Sequence, residues 1–385
     1  MKTVNIEPVD SRTSLKEFIG LPARLYKNLP NYTAPLNMES RALLDPRKAP
    51  FFKHGEAQYW IARVDREAVG RISAQIDDAQ PAGTFDDAGV FGCLDAIDDA
   101  AVVRALIDTA QNWLREKGKA RAMGPCTLSM NGEPGLLVEG HAETRLSLVP
   151  WHPHYLAAHL EACGYSKCRD LHYWRIRNTE DFRSSASQRK KIPENWVNFT
   201  FRSLDWKNLD RDIDIFREVY NDAWQDNWGF VPLMPEDLHA VGHDLKPFMK
   251  PEYGVIAEMD GRAVGVALVL PNLFEITGDL GANPSLIGWV KLAYRTFFHR
   301  FRSGRIILLG VLSECRRSIG GPVIAASMVE ELTKRLMSIK YHADWIEAGW
   351  VLDNNTALIG ILRRYGFERT RTLRLYDKSL ANGEA

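Results

Sequence analysis

The segment 310–321 combines glycines and arginines between a predicted strand and a predicted helix. Glycines let the backbone approach a diphosphate closely, and the free N–H groups at a helix N-terminus favour an anion. Arg316 and Arg317 would add positive charge beside them. This composition predicts a diphosphate-binding loop, although a solvated turn between a strand and a helix would look the same.

Cysteines and histidines form no comparable pattern. Cys315 lies in the same segment, but no histidine that would activate a cysteine nucleophile is close to it in sequence. Histidines cluster between His152 and His172, yet Pro153 interrupts their spacing and no carboxylate-rich partner accompanies them. The five cysteines are scattered and include no C-x-x-C pair of the kind that holds zinc. We therefore expect no metal site and a reduced, cytoplasmic protein.

Composition and charge exclude several classes of function. The chain of 385 residues carries 49 basic and 49 acidic side chains, for a formal net charge of +0. Such a chain has no global field to gather DNA or RNA, so a nucleic-acid partner is disfavoured. Apolar stretches such as 263–270 fall far short of the ~20 residues that a membrane span needs. The length predicts two domains, each with its own core.

The order of predicted elements occurs twice along the chain. Each copy contains a hairpin, a strand, a helix, a further strand, a helix that ends at glycine and an aromatic residue, and a final strand. The two helix ends are Gly164-Tyr165 and Gly366-Phe367, where glycine can take the left-handed cap conformation. This repetition predicts an internal duplication, with a first domain at 1–180, a polar linker at 181–195 and a second domain at 196–385.

At these positions the chain resembles the GNAT superfamily of acyl-CoA transferases, in tandem. In that family the CoA-binding loop, R-x-x-G-x-G/A, follows the fourth strand and opens a helix, which is the place of 310–321 here. The residues from Asn354 to Ala357, followed by Gly366-Phe367, resemble the family's N-x-x-A…G-F helix, whose asparagine lies near the pantetheine arm. The resemblance implies a mixed α/β (α+β) fold of two tandem domains, each a mixed, mostly antiparallel sheet flanked by helices.

The resemblance also implies acyl-CoA as a co-substrate, held by the second domain. The match to the loop is imperfect, because Ile319 stands where the first glycine belongs if Arg316 starts the motif, and Pro322 replaces the last small residue if Arg317 starts it. The candidate CoA-binding residues are Val311, Leu312, Arg316, Arg317, Ser318, Ile319, Gly320, Gly321, Asn354 and Asn355.

In the first domain the corresponding loop is acidic. Asp95, Asp98 and Asp99 occupy its place and would repel a diphosphate. We therefore expect a degenerate domain that acts as an acceptor platform or a lid. Its irregular segment 124–140 is predicted to be a shaped loop, and the candidate contacts to a substrate head group there are Asn131, Glu133 and Glu139.

The superfamily's chemistry indicates where to seek catalytic groups. A neutral amine attacks the thioester directly, backbone N–H groups on the splayed fourth strand stabilise the oxyanion, and a carboxylate or water removes the amine proton. Glu275, just beyond the strand at 263–270, is the candidate base; Glu314 at the loop and Glu258 on the preceding strand are the alternatives. Leu362 stands where many relatives carry the tyrosine that protonates the thiolate, so another acid serves or the thiolate leaves unaided.

The segments 124–140, 220–224 and 227–232 narrow the resemblance to a bacterial subgroup that includes the ceramide synthases. These enzymes place a fatty acyl group from acyl-CoA on the amine of a sphingoid base. The resemblance implies a lipid amine as substrate, with Tyr220 and Trp228 as further candidate contacts.

A basic and aromatic stretch supports a lipid substrate independently. From 280 to 313 there is no acidic residue, while lysine and arginines alternate with tryptophan and phenylalanines. Such a stretch would lie at an anionic membrane surface, at the inner face of the membrane. A core-packed helix with snorkelling basic ends has the same pattern.

Three classes of function stay open at this point. The leading one is an N-acyltransferase with a long-chain acyl-CoA donor and a lipid amine acceptor. The second keeps the fold but uses acetyl-CoA and a small soluble amine. The third is a non-catalytic protein that binds acyl-CoA or lipid, which the imperfect loop and Leu362 would suit. The sequence leaves the oligomeric state open.

Overall fold

The computed structural model describes residues 3–81, 83, 85–180, 199–316, 320–338 and 341–381. The predicted linker at 181–195 lies outside the described residues. The chain forms two compact units: the first comprises Met1–Leu171, Thr277–Lys291 and Arg371–Ala385, and the second comprises His172–Ile276 and Leu292–Thr370.

The strands of the first unit form a mixed sheet. In spatial order they are β1 (Asn5–Pro8), β2 (Gly55–Val64), β3 (Glu67–Asp77), β4 (Ala88–Ala96), β5 (Arg121–Gly124) and the first-unit part of β15 (Glu368–Ser379). Neighbours are antiparallel except for β4 and β5, which are parallel. A short strand, β8 (Leu136–Glu139), also pairs with β15, and β6 (Cys126–Thr127) pairs with β7 (Glu133–Pro134) as a separate hairpin.

Helices cover this sheet and supply much of its core. They are α1 (Arg12–Leu25), α2 (Asn37–Leu44), α3 (Ala100–Glu116) and α4 (Tyr155–Ala162). In α3, Val103, Leu106 and Ile107 recur at helical spacing and are buried, as the sequence pattern predicts. Asp99 is the N-cap of α3 and accepts hydrogen bonds from the N–H groups of Ala101 and Val102, so this acidic residue has a local structural role.

The strands of the second unit also form a mixed sheet. In spatial order they are the second-unit part of β9 (Ser166–Arg177), then β14 (Trp345–Leu352), β13 (Ser303–Val311), β12 (Arg262–Pro271), β11 (Gly254–Met259) and β10 (Thr200–Arg202). Strands β10 to β13 are antiparallel, and β13 and β14 are parallel. Asp260 and Gly261 join β11 to β12 with φ values of 51° and 79°, which is the tight turn that the sequence predicts.

The helices of the second unit pack on both faces of its sheet. They are α5 (Leu209–Trp224), α6 (Pro235–Leu245), α7 (Phe274–Thr277), α8 (Leu286–Phe298), α9 (Ser313–Arg316), α10 (Gly320–Leu336) and α11 (Thr356–Arg364); α7 and α8 each have one end in the first unit. Met328, Val329 and Leu332 of α10 are fully buried in the core beneath β11 and β12. No helix of the described chain has both the length and the apolar character needed to cross a membrane.

The predicted fold class is confirmed, because each unit has a mixed, mostly antiparallel sheet flanked by helices. The units differ from the predicted domains in which segments they contain. Arg371–Ala385 belongs to the first unit, where β15 pairs with β5 and β8. Thr277–Lys291 belongs there as well, where Asn37 donates its backbone N–H to the carbonyl of Ala282 at 2.8 Å. These pairings join residues more than 200 positions apart, which a reading along the chain does not detect.

Candidate active site

The strands β13 and β14 separate within the second unit. Their parallel pairing joins Ser303 to Trp345 and continues to Ile306 opposite Ala348, and the register between them ends there within the described residues. Both strands continue for several residues. On the other side of β13 the register shifts, because Leu308 and Ile306 pair with consecutive residues of β12 and leave Ile307 as a bulge. A bulge bends its strand, so β13 turns away from β14 at this point.

The gap between the two strands is the mouth of a cavity of about 450 Å³, which we call the β13–β14 cavity. It is lined by residues 306–311 of β13, 348–352 of β14, the end of α5 with the segment that follows, the start of α10 and one face of α11. This volume lies in the range of small-molecule sites, and its lining is mainly apolar. The cavity can therefore hold an extended ligand between two strands.

Backbone N–H groups of β13 face this gap. The N–H of Leu312 donates to the carbonyl of Val264 on β12 at 2.9 Å. In an antiparallel ladder successive N–H groups alternate in direction, so those of Leu309 and Val311 point away from β12. They lie on the side where β14 has departed, and both residues line the cavity. Two fixed donors of this kind suit an oxygen that develops negative charge.

Buried charges join the strands at the base of the gap. Arg305, only 6% exposed, donates from Nε to the carbonyl of Gly349 on β14 at 2.8 Å. Glu347, the register partner of Arg305, is fully buried and accepts hydrogen bonds from Nε and Nη2 of Arg175 at 2.9 and 2.7 Å. The guanidinium of Arg175 also stacks over Trp345 at 4.1 Å. These contacts fix the position at which β13 and β14 part.

Aromatic side chains form one wall of the cavity. Trp224 and Trp350 meet edge to face, with ring centroids 5.4 Å apart, and both line the cavity. Trp228, which the sequence analysis proposed as a substrate contact, also lines the cavity. Tyr220, chosen with it, is instead buried behind Trp224, stacked at 5.2 Å, and burial raises the pKa of its phenol. Tyr220 therefore supports the wall and does not line the cavity.

The predicted diphosphate loop lies at one end of the cavity. Arg316 and Gly321 both line it, and Arg316 donates from Nη1 to the carbonyl of Ala223 at 2.5 Å. A Cβ on Gly321 would lie 2.4 Å from Cα of Arg316, so only glycine fits there. Arg317, Ser318 and Ile319 lie outside the described residues, and Gly320 is the first residue of α10.

Asp222 fixes the start of this loop. Its carboxylate accepts hydrogen bonds from the backbone N–H and the hydroxyl of Ser313, at 2.5 and 2.9 Å. Leu312, chosen from sequence as a cofactor contact, is buried on the other side of β13 and does not line the cavity, whereas Val311 does. The loop is therefore tied to the end of α5 by both Asp222 and Arg316.

The two asparagines chosen from sequence line the cavity at α11. Asn355 caps this helix, because its Oδ1 accepts a hydrogen bond from the N–H of Leu358 at 3.1 Å. Asn354 precedes it and faces the same cavity. Leu362 is fully buried and also lines the cavity. No tyrosine is found among the cavity-lining residues of the described chain.

The carboxylates proposed from sequence lie away from the cavity lining. Glu275 accepts hydrogen bonds from the N–H groups of Arg302 and Ser303, from the Ser303 hydroxyl and from His299, at 2.5 to 2.9 Å. It therefore anchors the start of β13. Glu314 is exposed and pairs with Arg262 at 2.9 Å, and Glu258 pairs with Arg202 at 2.6 Å. Their catalytic roles remain sequence predictions without support from this geometry.

Asp226 is the one carboxylate among the described residues that line the cavity. It follows α5, between Trp224 and Trp228, which line the same wall. The sequence marked 220–224 and 227–232 as segments of interest, and Asp226 lies between them. The structure thus adds an acid–base candidate that the sequence did not single out.

The first unit has a corresponding separation of parallel strands, but its own chain fills it. Pairing of β4 with β5 ends at Val90 and Met123. The carbonyl oxygen of Cys126 then packs against β4 so closely that a Cβ on Gly92 would lie 1.8 Å from it. Gln75 donates a hydrogen bond to the same oxygen at 2.7 Å. The backbone at the start of 124–140 therefore occupies the space that is open in the second unit.

The first-unit residues that the sequence analysis proposed for substrate contact all lie on the segment 124–140. Asn131 is exposed, with its N–H bound to the Ser129 hydroxyl at 3.1 Å, and Glu133 is half-buried in β7. Glu139 is exposed and accepts a hydrogen bond from Thr372 at 2.7 Å. Contact of these three residues with a substrate stays a prediction.

Comparison with known proteins gives matches over the whole chain. No model of a known protein family matches it. The chain is 36% identical over 382 residues to the bacterial ceramide synthase of Caulobacter vibrioides (strain NA1000 / CB15N), covering 98% of each chain. It is 35% identical over 370 residues to Protein YghO of Escherichia coli (strain K12), covering 96% of this chain and 94% of that one.

Among solved structures, a tandem GNAT protein from the clavulanic acid biosynthesis pathway aligns with a TM-score of 0.58 at 12% identity, over 99% of this chain and 100% of that chain. The predicted tandem GNAT fold is confirmed.

The buried pair at the base of the gap gives a stability prediction. Replacing Arg175 by Met leaves the carboxylate of Glu347 buried without the guanidinium whose two N–H groups donate to its Oε2, which should cost about 3–5 kcal/mol of unfolding free energy. Urea denaturation measures the loss. Arg302→Met is the matched control, because its pair with Asp344 is 69% and 49% exposed and exposed pairs contribute about 0–1 kcal/mol. Equal losses in the two variants would show that the buried pair does not hold the strands together.

Proposed function

The chain belongs to the family of the bacterial ceramide synthases and is an N-acyltransferase, and on that premise we propose that it moves a long-chain acyl group from acyl-CoA to the primary amine of a sphingoid base. Membership rests on 36% identity to the ceramide synthase of Caulobacter vibrioides over the full chain. The observation that carries the proposal for this chain is the mainly apolar cavity between two parallel strands that separate.

The cavity supports a long-chain acyl thioester as donor. Val329 of α10 with Leu358 and Ile361 of α11 lines it, so one side is formed by aliphatic side chains. Burial of apolar surface is favourable at ~25 cal/mol per Å², which rewards a fatty chain far more than an acetyl group. The loop with Arg316 and the start of α10 would receive the diphosphate of CoA, where helix N–H groups favour an anion.

Backbone groups would carry the central step of the reaction. The neutral amine attacks the thioester carbonyl, a C–N bond forms, and the carbonyl oxygen takes up negative charge. The N–H groups of Leu309 and Val311 are fixed donors for that oxygen. The C–S bond then breaks as the tetrahedral intermediate collapses, and CoA leaves as a thiolate.

Proton transfer would involve Asp226. Asp226 lines the cavity and is exposed, and in this scheme its carboxylate accepts the proton that the amine loses, either directly or through water. Since Leu362 occupies the place of the family's tyrosine, the thiolate leaves unaided or takes its proton from water. The enzyme forms no covalent intermediate with its substrate in this scheme.

The proposal is tested by incubating the purified protein with palmitoyl-CoA or acetyl-CoA and a panel of amines. The panel contains sphinganine, 3-keto-sphinganine and a small soluble amine, and release of free thiol is followed with time. We expect turnover with palmitoyl-CoA and a sphingoid amine, and at least about tenfold less with acetyl-CoA, because fewer buried methylenes stabilise its transition state. Turnover only with acetyl-CoA and the soluble amine would show instead that the protein is an acetyltransferase for a small soluble amine. Tight CoA binding without any transfer would select a binding protein.

Replacing Asp226 by Asn should lower kcat/KM by about 10²–10⁴ because it removes the proton acceptor. CoA affinity should not change, since Asn keeps the shape of the side chain. Thiol release and calorimetric titration with CoA measure the two quantities. Glu314→Gln, at an exposed position outside the cavity lining, should behave as wild type. If Glu275→Gln abolished activity while the protein stayed folded and Asp226→Asn did not, the base would be Glu275.

Replacing Arg316 by Ala should weaken binding of CoA about 10- to 100-fold, because a hydrogen bond to a charged group contributes roughly 1.5–3 kcal/mol. Binding of pantetheine should change little, since pantetheine carries no phosphate group. Calorimetric titration checks both ligands. Arg364→Ala is the control, because this arginine of α11 is exposed and does not line the cavity. Equal affinity of Arg316→Ala and wild type for CoA would place the diphosphate elsewhere.

A further inference from the structure

The helix α8 turns its apolar side chains outward. Leu286, Ile287, Trp289, Val290, Tyr294, Phe297 and Phe298 have exposed fractions between 39% and 86%. They are seven of the eleven large hydrophobic side chains that are exposed among the described residues. The opposite face of the helix carries Gly288, which is buried, and Arg295 and Thr296, which are half-buried. Clusters of exposed apolar side chains on a folded protein mark a surface that contacts another protein, a ligand or a membrane.

One polar contact joins the inner face of α8 to another element. Arg295 donates from Nη1 to the carbonyl of Ile276 at 3.0 Å, and Thr296 bonds to the carbonyl of Leu292 one turn earlier at 2.9 Å. At the N-terminus the hydroxyl of Ser285 accepts a hydrogen bond from the N–H of Gly288 at 3.2 Å. The bonds of Thr296 and Ser285 lie within α8 and its first turn, so Arg295 is the residue that ties the inner face to a neighbouring segment, and the apolar residues remain on the outside.

The charged side chains of the segment that contains α8 are all positive. From 280 to 313 the chain has no acidic residue. Lys291 and Arg300 are exposed and form no ion pair with any residue that the structure describes, whereas Arg302 pairs with Asp344. The apolar face of α8 is thus accompanied by two free cations, which complement an anionic partner.

We infer that α8 docks on an anionic phospholipid surface and lies in its plane. A helix of this length spans only about 20 Å along its axis, so it would rest at the level of the head groups with Phe297 and Phe298 in the acyl region. Trp289 and Tyr294 have the amphipathic rings that favour this interface. Lys291 and Arg300 contact phosphate groups. A second copy of the chain fits less well, because it would bring the same two cations without acidic residues from this stretch to pair them.

The docking explains how a lipid amine would reach an enzyme of this kind, and that explanation rests on the proposed function. Binding to the surface itself requires only the side chains of α8. The test therefore measures binding and acyl transfer separately.

The experiment is flotation of the full chain with two kinds of vesicle, one of phosphatidylcholine alone and one of phosphatidylcholine with an equal part of phosphatidylglycerol. We expect binding to the mixed vesicles and at least about tenfold less to phosphatidylcholine alone, since two cations each favour an anionic surface. The double variant Phe297→Ser/Phe298→Ser should lose at least about tenfold in binding, because the two side chains that would enter the acyl region become polar. Lys291→Glu/Arg300→Glu should lose the preference for phosphatidylglycerol.

Met38→Ser/Val241→Ser is the matched control, because it removes two exposed hydrophobic side chains, 58% and 48% exposed, from other helices. It should bind as wild type does. Acyl transfer to a water-soluble short-chain amine should be the same in all variants, because this amine does not have to come from the vesicle. Flotation is measured without acyl transfer, so a failure of the proposed function would not alter the vesicle result. Unchanged flotation of the phenylalanine variant would overturn the inference. A wild-type dimer in the absence of vesicles that this variant converts to a monomer would also overturn it, in favour of contact between copies.

Discussion

The candidate site depends on one constraint, the point at which the ladder between two parallel strands must end. Ile307 is an extra residue in β13 opposite β12, and the parallel register of β13 with β14 ends beside it, at Ile306. A bulge bends its strand, which carries β13 away from β14. The separation leaves backbone N–H groups without the partner that a regular sheet would give them, and it opens space for a ligand among mainly apolar side chains. Binding and oxyanion stabilisation thus have one origin in the backbone.

Such a gap has to be held open against closure of the ladder. Below it, Arg305 bonds to Gly349, and Glu347 is bound by Arg175 on the neighbouring strand β9. Because these charges are buried, their geometry is strongly restricted: movement of one partner would leave the other desolvated. Above it, Asp222 and Arg316 tie the diphosphate loop to the end of α5. The site is therefore rigid at both ends of the separated strands.

The two units show how the same order of elements can give different surfaces. In the first unit the strands also part, but the backbone at Cys126 fills the space, and Gly92 provides room for its carbonyl. Asp95 there is bound to Arg71 at 2.8 Å, and Asp99 caps a helix. The acidic residues that argued against a diphosphate have structural partners of their own. The two units thus share an order of elements, whereas among the described residues the open cavity between parted strands is found in the second unit.

The sequence by itself determined the duplicated order of strands and helices, the hairpin turn at Asp260-Gly261 and the glycine ends of helices. These features are local, because the alternation of apolar and polar residues, helical spacing and turn chemistry depend on residues that are close in the chain. It also indicated Val311, Arg316 and Asn354 through their resemblance to family motifs. Tertiary structure decided that Asp226 faces the cavity while Glu275 anchors β13, and that Arg371–Ala385 completes the first sheet. The physical reason is that strand register, bulges and burial arise from contacts between residues distant in the chain, and no pattern of neighbours specifies them.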